Sequence, residues 1–377
     1  MFKSTLKQRF SKFNWNSRAF QSNEPEAKEL KFRTTFNHSQ KIFWYPQHQS
    51  RALRQLQNGL HHIDLVVEVR DARIPLTSIN TEFDNILGRR DRLVIYNKSD
   101  LANPEMKSSI IQMLNKYKNE NVVFTKANKG QNIKAILDYA IQKCNNDPAR
   151  FPYLSIIVVG PPNVGKSTLI NGLRKLGVKK GKVTQVGKKA GVTTSIQTRV
   201  KINLDPPIYL VDTPGIFNPH VSTPIEGLKI ALTGGTNDSL TSSLNVADYL
   251  LFRLNNSYFK NKYPAILGIS EPTDSIFDLA LHIAKTQNFQ IDQNSRLNRI
   301  TPHLKFKSDE SHIEHDFWDL NRGAQYLIDH YYRQGLLGCL TLDDCTEESF
   351  KSFFKNLGSQ SMVLSKTGYH FEPQIKQ

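Results

Sequence analysis

Residues 160–167 read Gly160-Pro161-Pro162-Asn163-Val164-Gly165-Lys166-Ser167, which fits the pattern G-x-x-x-x-G-K-[ST]. An apolar, strand-like run at 154–160 precedes this stretch, and Thr168 opens a helix-like run after it. Glycine lets the backbone of such a turn point its N–H groups at phosphate, and the helix N-terminus adds its dipole. The stretch therefore predicts a phosphate-binding loop, or P-loop, within an α/β domain.

The residues of this loop have separate expected tasks toward a nucleoside triphosphate. We expect Lys166 to reach the β- and γ-phosphate oxygens as a catalytic residue, and Ser167 to ligate Mg²⁺. The other nucleotide contacts predicted in this stretch are Asn163, Val164, Gly165 and Thr168.

A second phosphate motif, DTPG, ends the strand-like run that begins at Ile208. Its first residue, Asp212, would hold Mg²⁺ through the water shell of the ion, and the N–H of Gly215 would sense the γ-phosphate. Upstream lies GVTT in a basic connection, where a threonine would complete the Mg²⁺ sphere when GTP is bound. Thr193 is the predicted ligand, and Thr194 is the alternative.

The strand-like run 92–98 ends in the tetrapeptide Asn97-Lys98-Ser99-Asp100, whose residue types fit a guanine base. The Asp100 carboxylate can accept hydrogen bonds from N1–H and from the exocyclic amine of guanine, and adenine offers no such pair. Asn97 would support the opposite edge of the base, and Lys98 would pack along it. Because an unpaired buried carboxylate is costly, the tetrapeptide favours GTP and GDP over ATP.

A third base-reading segment, Thr125-Lys126-Ala127, ends the next strand-like run and would place a backbone N–H near the guanine oxygen. These base-reading segments come before the P-loop, whereas the usual chain order places the phosphate motifs first. All of them must surround one nucleotide, so the sheet stays the same while the chain order changes. The sequence therefore predicts a circularly permuted P-loop GTPase domain.

Strand-like runs alternate with helix-like stretches at 104–117 and 131–144, which predicts a mostly parallel sheet with helices on both faces. Beyond about residue 235 the strand pattern fades, and apolar residues recur at three- and four-residue spacing. We expect the GTPase domain at 40–235 and a mainly helical domain at 236–377.

The net charge of +16 and the pI near 9.6 predict a polyanionic partner, with nucleic acid as the leading class. Part of this excess lies in 1–23, which has five basic residues, no acid and hydrophobic residues at helical spacing. This composition is typical of a mitochondrial transit peptide, so we predict one at 1–30. A disordered basic arm that binds RNA is the alternative.

Other bulk features narrow the class of protein. No apolar run approaches the ~20 residues that a membrane span needs. The three cysteines form no CxxC pair and give no metal signal. From 171 to 204 there are nine basic residues and no acid, which favours contact with RNA phosphates; a merely solvated loop is the alternative.

The permuted order, the segment VRDARIP at 69–75, the sequence GPPNVGKST and DTPG together resemble the RbgA/YlqF family of circularly permuted GTPases, over roughly 40–335. The resemblance implies a GTP-hydrolysing factor in assembly of the large ribosomal subunit, with a helical C-terminal domain that contacts ribosomal RNA. Together with the leader it implies the mitochondrial large subunit and its RNA as partners. We expect a monomer in the mitochondrial matrix, and peripheral association with the matrix side of the inner membrane is the alternative.

The same resemblance suggests groups that assist hydrolysis. Ras-like enzymes have a glutamine directly after DxxG, but Ile216 stands here, so another group is needed. The family's Trp-Phe-Pro-Gly-His-Met segment corresponds to 43–49, where His48 matches the catalytic histidine while Gln47 and Gln49 replace glycine and methionine. A neutral imidazole would orient or deprotonate water. A structural histidine is the alternative.

Asn163 resembles the P-loop asparagine of GTPases that bind K⁺ where an arginine finger otherwise stabilises transition-state charge. We expect slow basal turnover, raised by potassium and by the ribosome. Two other functions stay open at this point: a non-catalytic scaffold that binds GTP or GDP and RNA, and a cytosolic or nuclear ribosome biogenesis factor of the same fold.

Overall fold

The computed structural model describes residues 32–38, 60–80, 82–87, 90–179, 199–211, 221, 223–236, 241–291 and 317–366. All elements given below belong to one compact unit, Thr34–Gln377. Several residues predicted above lie outside the described ranges: His48, Thr193, Thr194, Asp212 and Gly215.

A mostly parallel sheet forms the centre of the part of the chain from residue 60 to residue 211, which is called the nucleotide-binding region below. Its strands within the described residues are β1 Leu65–Asp71, β2 Asp91–Asn97, β3 Asn121–Phe124, β4 Leu154–Val159, β5 Arg199–Asn203 and β6 Ile208–Val211. Their spatial order is β3-β2-β1-β4-β6-β5, and only the pair β5 and β6 is antiparallel. The central strands β1 and β4 are buried along their whole length, which explains their nearly continuous apolar sequences.

Helices cover both faces of this sheet. The helices of this region are α1 Glu82–Leu87, α2 Met106–Lys118, α3 Ile133–Asn146 and α4 Lys166–Lys179. Alternate residues of β1 point to opposite faces: Leu65 and Val67 pack in the cluster that contains α3 and α4, and Val66 packs in the cluster that contains α1. The predicted layers are therefore present, with helices in place at nearly the predicted residues.

The later part of the chain is helical. It contains α5 Pro224–Leu232, α6 Ser243–Asn255, α7 Tyr263–Leu267, α8 Ile276–Thr286, α9 Leu320–Tyr326, a π-helical turn Leu327–Tyr332 and α10 Glu347–Lys366. Helices α5 to α9 share one apolar core. Gly323 of α9 allows a close helix crossing, because a Cβ there would lie 2.4 Å from the carbonyl oxygen of Ala280 on α8.

The last helix returns to the nucleotide-binding region. Phe350 and Phe354 of α10 pack in the apolar cluster that includes residues of α2, and the ring centroids of Tyr117 and Phe354 lie 5.4 Å apart. The predicted domain boundaries, 40–235 and 236–377, stay a prediction. Within the described residues, no helix combines the length and the apolar character that a bilayer span requires.

One buried carboxylate fastens the helical region to the loop after β1. Asp343 is 2% exposed and accepts hydrogen bonds from the backbone N–H groups of Leu76 and Thr77, both at 2.8 Å. It also accepts from Thr77 Oγ1 at 2.7 Å and from Lys229 Nζ at 2.9 Å. Since four donors converge on this group, its loss would leave all of them without a partner.

We predict that Asp343→Ala lowers the free energy of unfolding by about 3 kcal/mol, the range expected when one partner of a buried ion pair is removed. The neighbouring Asp344 is a matched control, because its side chain is 72% exposed and contacts Arg253 only at 3.4 Å. Asp344→Ala should change the free energy of unfolding by less than about 0.5 kcal/mol. Urea unfolding followed by circular dichroism measures both, and equal losses would contradict the anchoring role of Asp343.

Candidate nucleotide-binding site

The P-loop connects β4 to α4, as the sequence predicted. It begins at Gly160 with φ +143°, and a Cβ at this position would lie 2.2 Å from the carbonyl oxygen of Val69 on β1. Only glycine allows this approach of the two backbones. Lys166 is the first residue of α4, is 8% exposed and donates from Nζ to the carbonyl oxygen of Pro161 at 2.6 Å.

Asn97 joins the base-reading segments to the P-loop. Its Nδ2 donates to the carbonyl oxygen of Val164 at 2.8 Å. Its Oδ1 accepts from Thr125 Oγ1 and from the N–H of Ala127, both at 3.0 Å. Both amide atoms are thus bound to protein groups, so this side chain holds three predicted segments at fixed positions.

Gly165 makes this contact between the loops possible. Its φ is +95°, and a Cβ here would lie 2.3 Å from Nδ2 of Asn97. Any other residue would therefore be strained in its backbone and would also displace the amide that joins the loops.

Asp100 has one oxygen paired and one oxygen without a hydrogen bond. Its Oδ2 lies 2.9 Å from Nζ of Lys129. Its Oδ1 is buried and has no donor among the described residues. Leaving a buried acceptor unpaired is costly in a folded protein, and a ligand with two adjacent donors would satisfy it. The Watson–Crick edge of guanine provides such donors, so the residues present fit a guanine nucleotide.

Lys98 adopts a left-handed backbone conformation, φ +58°, which turns its side chain toward the end of β1. There its Nζ lies 3.2 Å from Oδ2 of Asp71. Burial lowers the pKa of Lys98, although the charge of Asp71 opposes this shift. Burial alone would raise the pKa of Asp71, but Arg73 and Lys98 hold it well below its ordinary value. Asp71 is therefore a carboxylate, and Lys98 is held beside it.

These residues surround a cavity of about 370 Å³. Its walls come from the base-reading loop, the P-loop and the helical region, and they include Asn97, Lys98, Asp100, Asn163, Gly165, Thr168, Thr233, Gly234 and Arg333. Sequence motifs mark the first six of these residues but not the last three, because no local pattern marks a residue that reaches the site from a separate helical core. Thr125 and Ala127 lie behind the cavity wall and contact Asn97.

Asn163 of the P-loop is tied to the helical wall. Its φ is +56°, and its Nδ2 donates to the carbonyl oxygen of Gly234 at 2.6 Å. The amide nitrogen of the predicted K⁺ ligand is thus committed to a protein group, and potassium binding at Asn163 stays a prediction.

The predicted Mg²⁺ ligands are described only in part. Ser167 is exposed in the first turn of α4, where its hydroxyl is accessible to an ion. Thr193 and Asp212 lie outside the described residues. Within those residues, no group of three His, Cys, Asp or Glu side chains could hold a metal. The predicted Mg²⁺ site does not need three such side chains, because hydroxyl, phosphate and water oxygens would supply most of its ligands.

Known proteins resemble this chain over most of its length. A family model described as 50S ribosome-binding GTPase matches residues 155–288. Mitochondrial ribosome-associated GTPase 1 of Xenopus tropicalis is 38% identical over 261 residues, which cover 67% of this chain and 83% of that protein. The protein of the same name from Bos taurus is 33% identical over 309 residues, which cover 80% of this chain and 88% of that protein.

A solved structure shares the fold. GNP-bound YlqF from T. maritima is 19% identical to this chain with a TM-score of 0.51, and the match covers 78% of this chain and 98% of that one. At this identity the likeness concerns the fold alone.

The fold, the cavity and the matches with known proteins define a circularly permuted P-loop GTPase with a helical C-terminal region. The predicted fold class and enzyme class are therefore confirmed. The chain belongs to the family of mitochondrial ribosome-associated GTPases. Since the chain is a GTPase, its nucleotide ligands are GTP and GDP.

We predict that Gly165→Ala weakens GDP binding at least about tenfold, because the new Cβ displaces the Asn97 amide that joins the two loops. Gly268→Ala is the matched control. Gly268 also has a positive φ, +75°, but its nearest neighbour would lie 3.8 Å from a new Cβ. Both variants should lose about 1 kcal/mol of stability from backbone strain. Titration with a fluorescent GDP separates them, and equal affinities would contradict the steric argument.

Proposed function

We propose that this chain is a GTP-hydrolysing assembly factor for the mitochondrial large ribosomal subunit, which binds ribosomal RNA in its GTP state and is released on hydrolysis. The observation that carries the proposal is the buried, unpaired Oδ1 of Asp100 at the wall of a nucleotide-sized cavity. The names of the relatives, mitochondrial ribosome-associated GTPases, support the choice of partner.

Each predicted residue has a role in this proposal. Asp100 reads the Watson–Crick edge of guanine, and Lys98 packs along the base. Lys166 places its charge at the β- and γ-phosphates, where charge changes during transfer. Ser167, Thr193 and Asp212 would hold Mg²⁺, and the ion would supply positive charge that offsets the negative charge of the triphosphate.

Two residues are proposed to assist hydrolysis in the absence of a glutamine after DTPG. His48 would orient the attacking water or take its proton. Asn163 would contribute an oxygen ligand to K⁺, which would add positive charge near the transferred phosphoryl group. On this proposal turnover is slow until the ribosomal subunit completes the arrangement, so hydrolysis times the release of the factor.

The charge distribution supports RNA contact by the nucleotide-binding region. The described residues of this region, 60–80, 82–87, 90–179 and 199–211, include 19 basic and 12 acidic residues. The described helical segments, 241–291 and 317–366, contain 9 basic and 10 acidic residues. Phosphate contact depends on uncompensated positive charge, so we place the main RNA contact on the nucleotide-binding region and on the basic segment 171–204. The helical domain would then contribute shape and orientation on the ribosome.

We also propose the compartment in which this factor acts. The basic, acid-free leader and the names of the relatives favour the mitochondrial matrix. There the protein would act as a monomer, and any membrane contact would be peripheral, on the matrix side of the inner membrane.

Guanine specificity is tested by Asp100→Asn. An asparagine amide offers one acceptor and one donor, which match N1–H and the C2 carbonyl of xanthine instead of the two donors of guanine. We predict that GTP affinity falls at least about 100-fold while xanthosine triphosphate gains affinity. Asp138→Asn is the control, because that carboxylate is 49% exposed on α3 and pairs with Lys134. If Asp100→Asn still preferred GTP over xanthosine triphosphate as the wild type does, the proposed recognition of guanine by Asp100 would be contradicted.

The catalytic proposal is tested by GTP hydrolysis with and without mitochondrial large ribosomal subunits. We predict that subunits accelerate the wild type, that Lys166→Ala lowers the rate roughly 100-fold or more, and that His48→Ala removes the acceleration. His61→Ala, an exposed histidine of the short helix Leu60–His62, is the control for His48. Failure of subunits to accelerate the wild type would favour the alternative, an RNA scaffold that binds GTP or GDP without useful turnover.

A further inference from the structure

Arg73 is a buried cation beside the nucleotide cavity to which the functional proposal assigns no role. It is 1% exposed and forms a two-pronged ion pair with Asp71, from Nε to Oδ1 at 2.9 Å and from Nη2 to Oδ2 at 2.8 Å. Its backbone N–H donates to the same carboxylate at 3.0 Å. The paired fork geometry fixes the orientation of both groups, because a guanidinium and a carboxylate match in two parallel hydrogen bonds.

Through Asp71, this ion pair reaches the base-reading loop. Oδ2 of Asp71 accepts from Arg73 and also lies 3.2 Å from Nζ of Lys98. Lys98 is expected to pack along the guanine base, so the position of its side chain matters for binding. Without Arg73, Asp71 would lose its orienting partner, and Lys98 would lose a fixed counter-charge.

Arg73 also reaches the end of α5. Its Nη2 donates to the carbonyl oxygen of Thr233 at 3.1 Å. The neighbouring carbonyls are held as well: Arg333 donates to Ala231 at 2.7 Å and to Leu232 at 3.0 Å. The last carbonyls of a helix have no partner within the helix and carry partial negative charge, so two arginines are well placed there.

The next carbonyl in this turn binds the P-loop. Gly234 accepts from Nδ2 of Asn163 at 2.6 Å. Four consecutive carbonyls, 231–234, are therefore held by side chains from the loop after β1, from the P-loop and from Arg333, which directly follows the π-helical turn. Since α5 is the helix that follows DTPG in the chain, its C-terminal turn lies between the nucleotide loops and the helical core.

The Nη1 nitrogen of Arg73, which carries two N–H donors, is buried and has no hydrogen bond among the described residues. The guanidinium lies over the ring of Tyr332 at 5.4 Å. Arg73 also lines the nucleotide cavity. A buried guanidinium with an unpaired donor is expensive if its only task is to stabilise the fold, which points to a task at the cavity.

We propose that Arg73 is a positioning residue for the bound guanine nucleotide, which fixes Lys98 through Asp71 and links base binding to the C-terminal turn of α5. This inference rests on the proposed guanine site and adds to it a route to the helical region. Nucleotide binding then stabilises the turn 231–236 although that turn belongs to the helical region, because Arg73 joins the two in one hydrogen-bond network.

The test uses the full-length protein with Arg73→Lys and Arg73→Gln. Lysine keeps the charge but cannot donate to Asp71 and Thr233 in the same fork. We expect GDP affinity to fall about tenfold in Arg73→Gln and less in Arg73→Lys, the loss expected for one charge-assisted hydrogen bond. Arg322→Gln is the matched control, because Arg322 also stacks on an aromatic ring, that of Phe289 at 4.4 Å, but does not line the cavity.

Hydrogen exchange distinguishes positioning from a merely structural role. In the wild type, saturating GDP should slow amide exchange both at 97–101 and at 231–236. In Arg73→Lys, saturating GDP should still protect 97–101 but no longer protect 231–236. If the Arg73 variants retain wild-type affinity and protection at 231–236, the inference is overturned while the proposed function stands. A wild type that binds no GDP would overturn the proposed function itself.

Discussion

The hydrogen bonds of the Asn97 side chain hold together a site whose parts come from distant and reordered segments. One amide donates to Val164 in the P-loop and accepts from Thr125 and Ala127 in the third base-reading segment. No short connection places these segments side by side, because the base-reading loops come first in the chain and the P-loop later. The buried amide supplies that constraint, and a partner left unpaired by its loss would be costly in this dry position.

The sheet explains why such a reordered chain still builds one site. The carboxyl ends of β1, β2 and β4 lie side by side, since β1 pairs in parallel with both of the others. The loops that follow these strands therefore meet at one edge, whatever their order in the chain. The reordering has a further consequence for α5. In the usual order the helix after DTPG would lead to the base-reading strands, whereas here it leads directly into the helical core.

The sequence predicted the elements whose signal is local. Continuous apolar runs marked β2, β4 and β6, and motif chemistry marked the loops after them. The strand β5 was missed because its residues, RVKIN, alternate polar with apolar side chains within a basic connection. The wall formed by Thr233, Gly234 and Arg333 was missed for a different reason. Its contacts join residues up to 160 positions apart, as in the hydrogen bond from Arg73 to Thr233, and no spacing pattern encodes them.

Two buried charge networks show how the fold separates stability from binding. In the first, Glu68 and Arg70 on β1 pair with each other and with Arg92 and Glu120, so that the charges balance within the protein. In the second, beside the cavity, Lys98, Asp71 and Arg73 also pair, but an arginine donor and an Asp100 acceptor have no protein partner among the described residues. Balanced networks specify a packing arrangement, and partly satisfied ones are costly unless something completes them. In the described part of the chain, the other buried side-chain atoms without a partner belong to residues that do not line this cavity, namely Ser155, Arg174, Thr236 and Tyr332. The nucleotide is therefore the component expected to satisfy a network that the chain itself leaves incomplete.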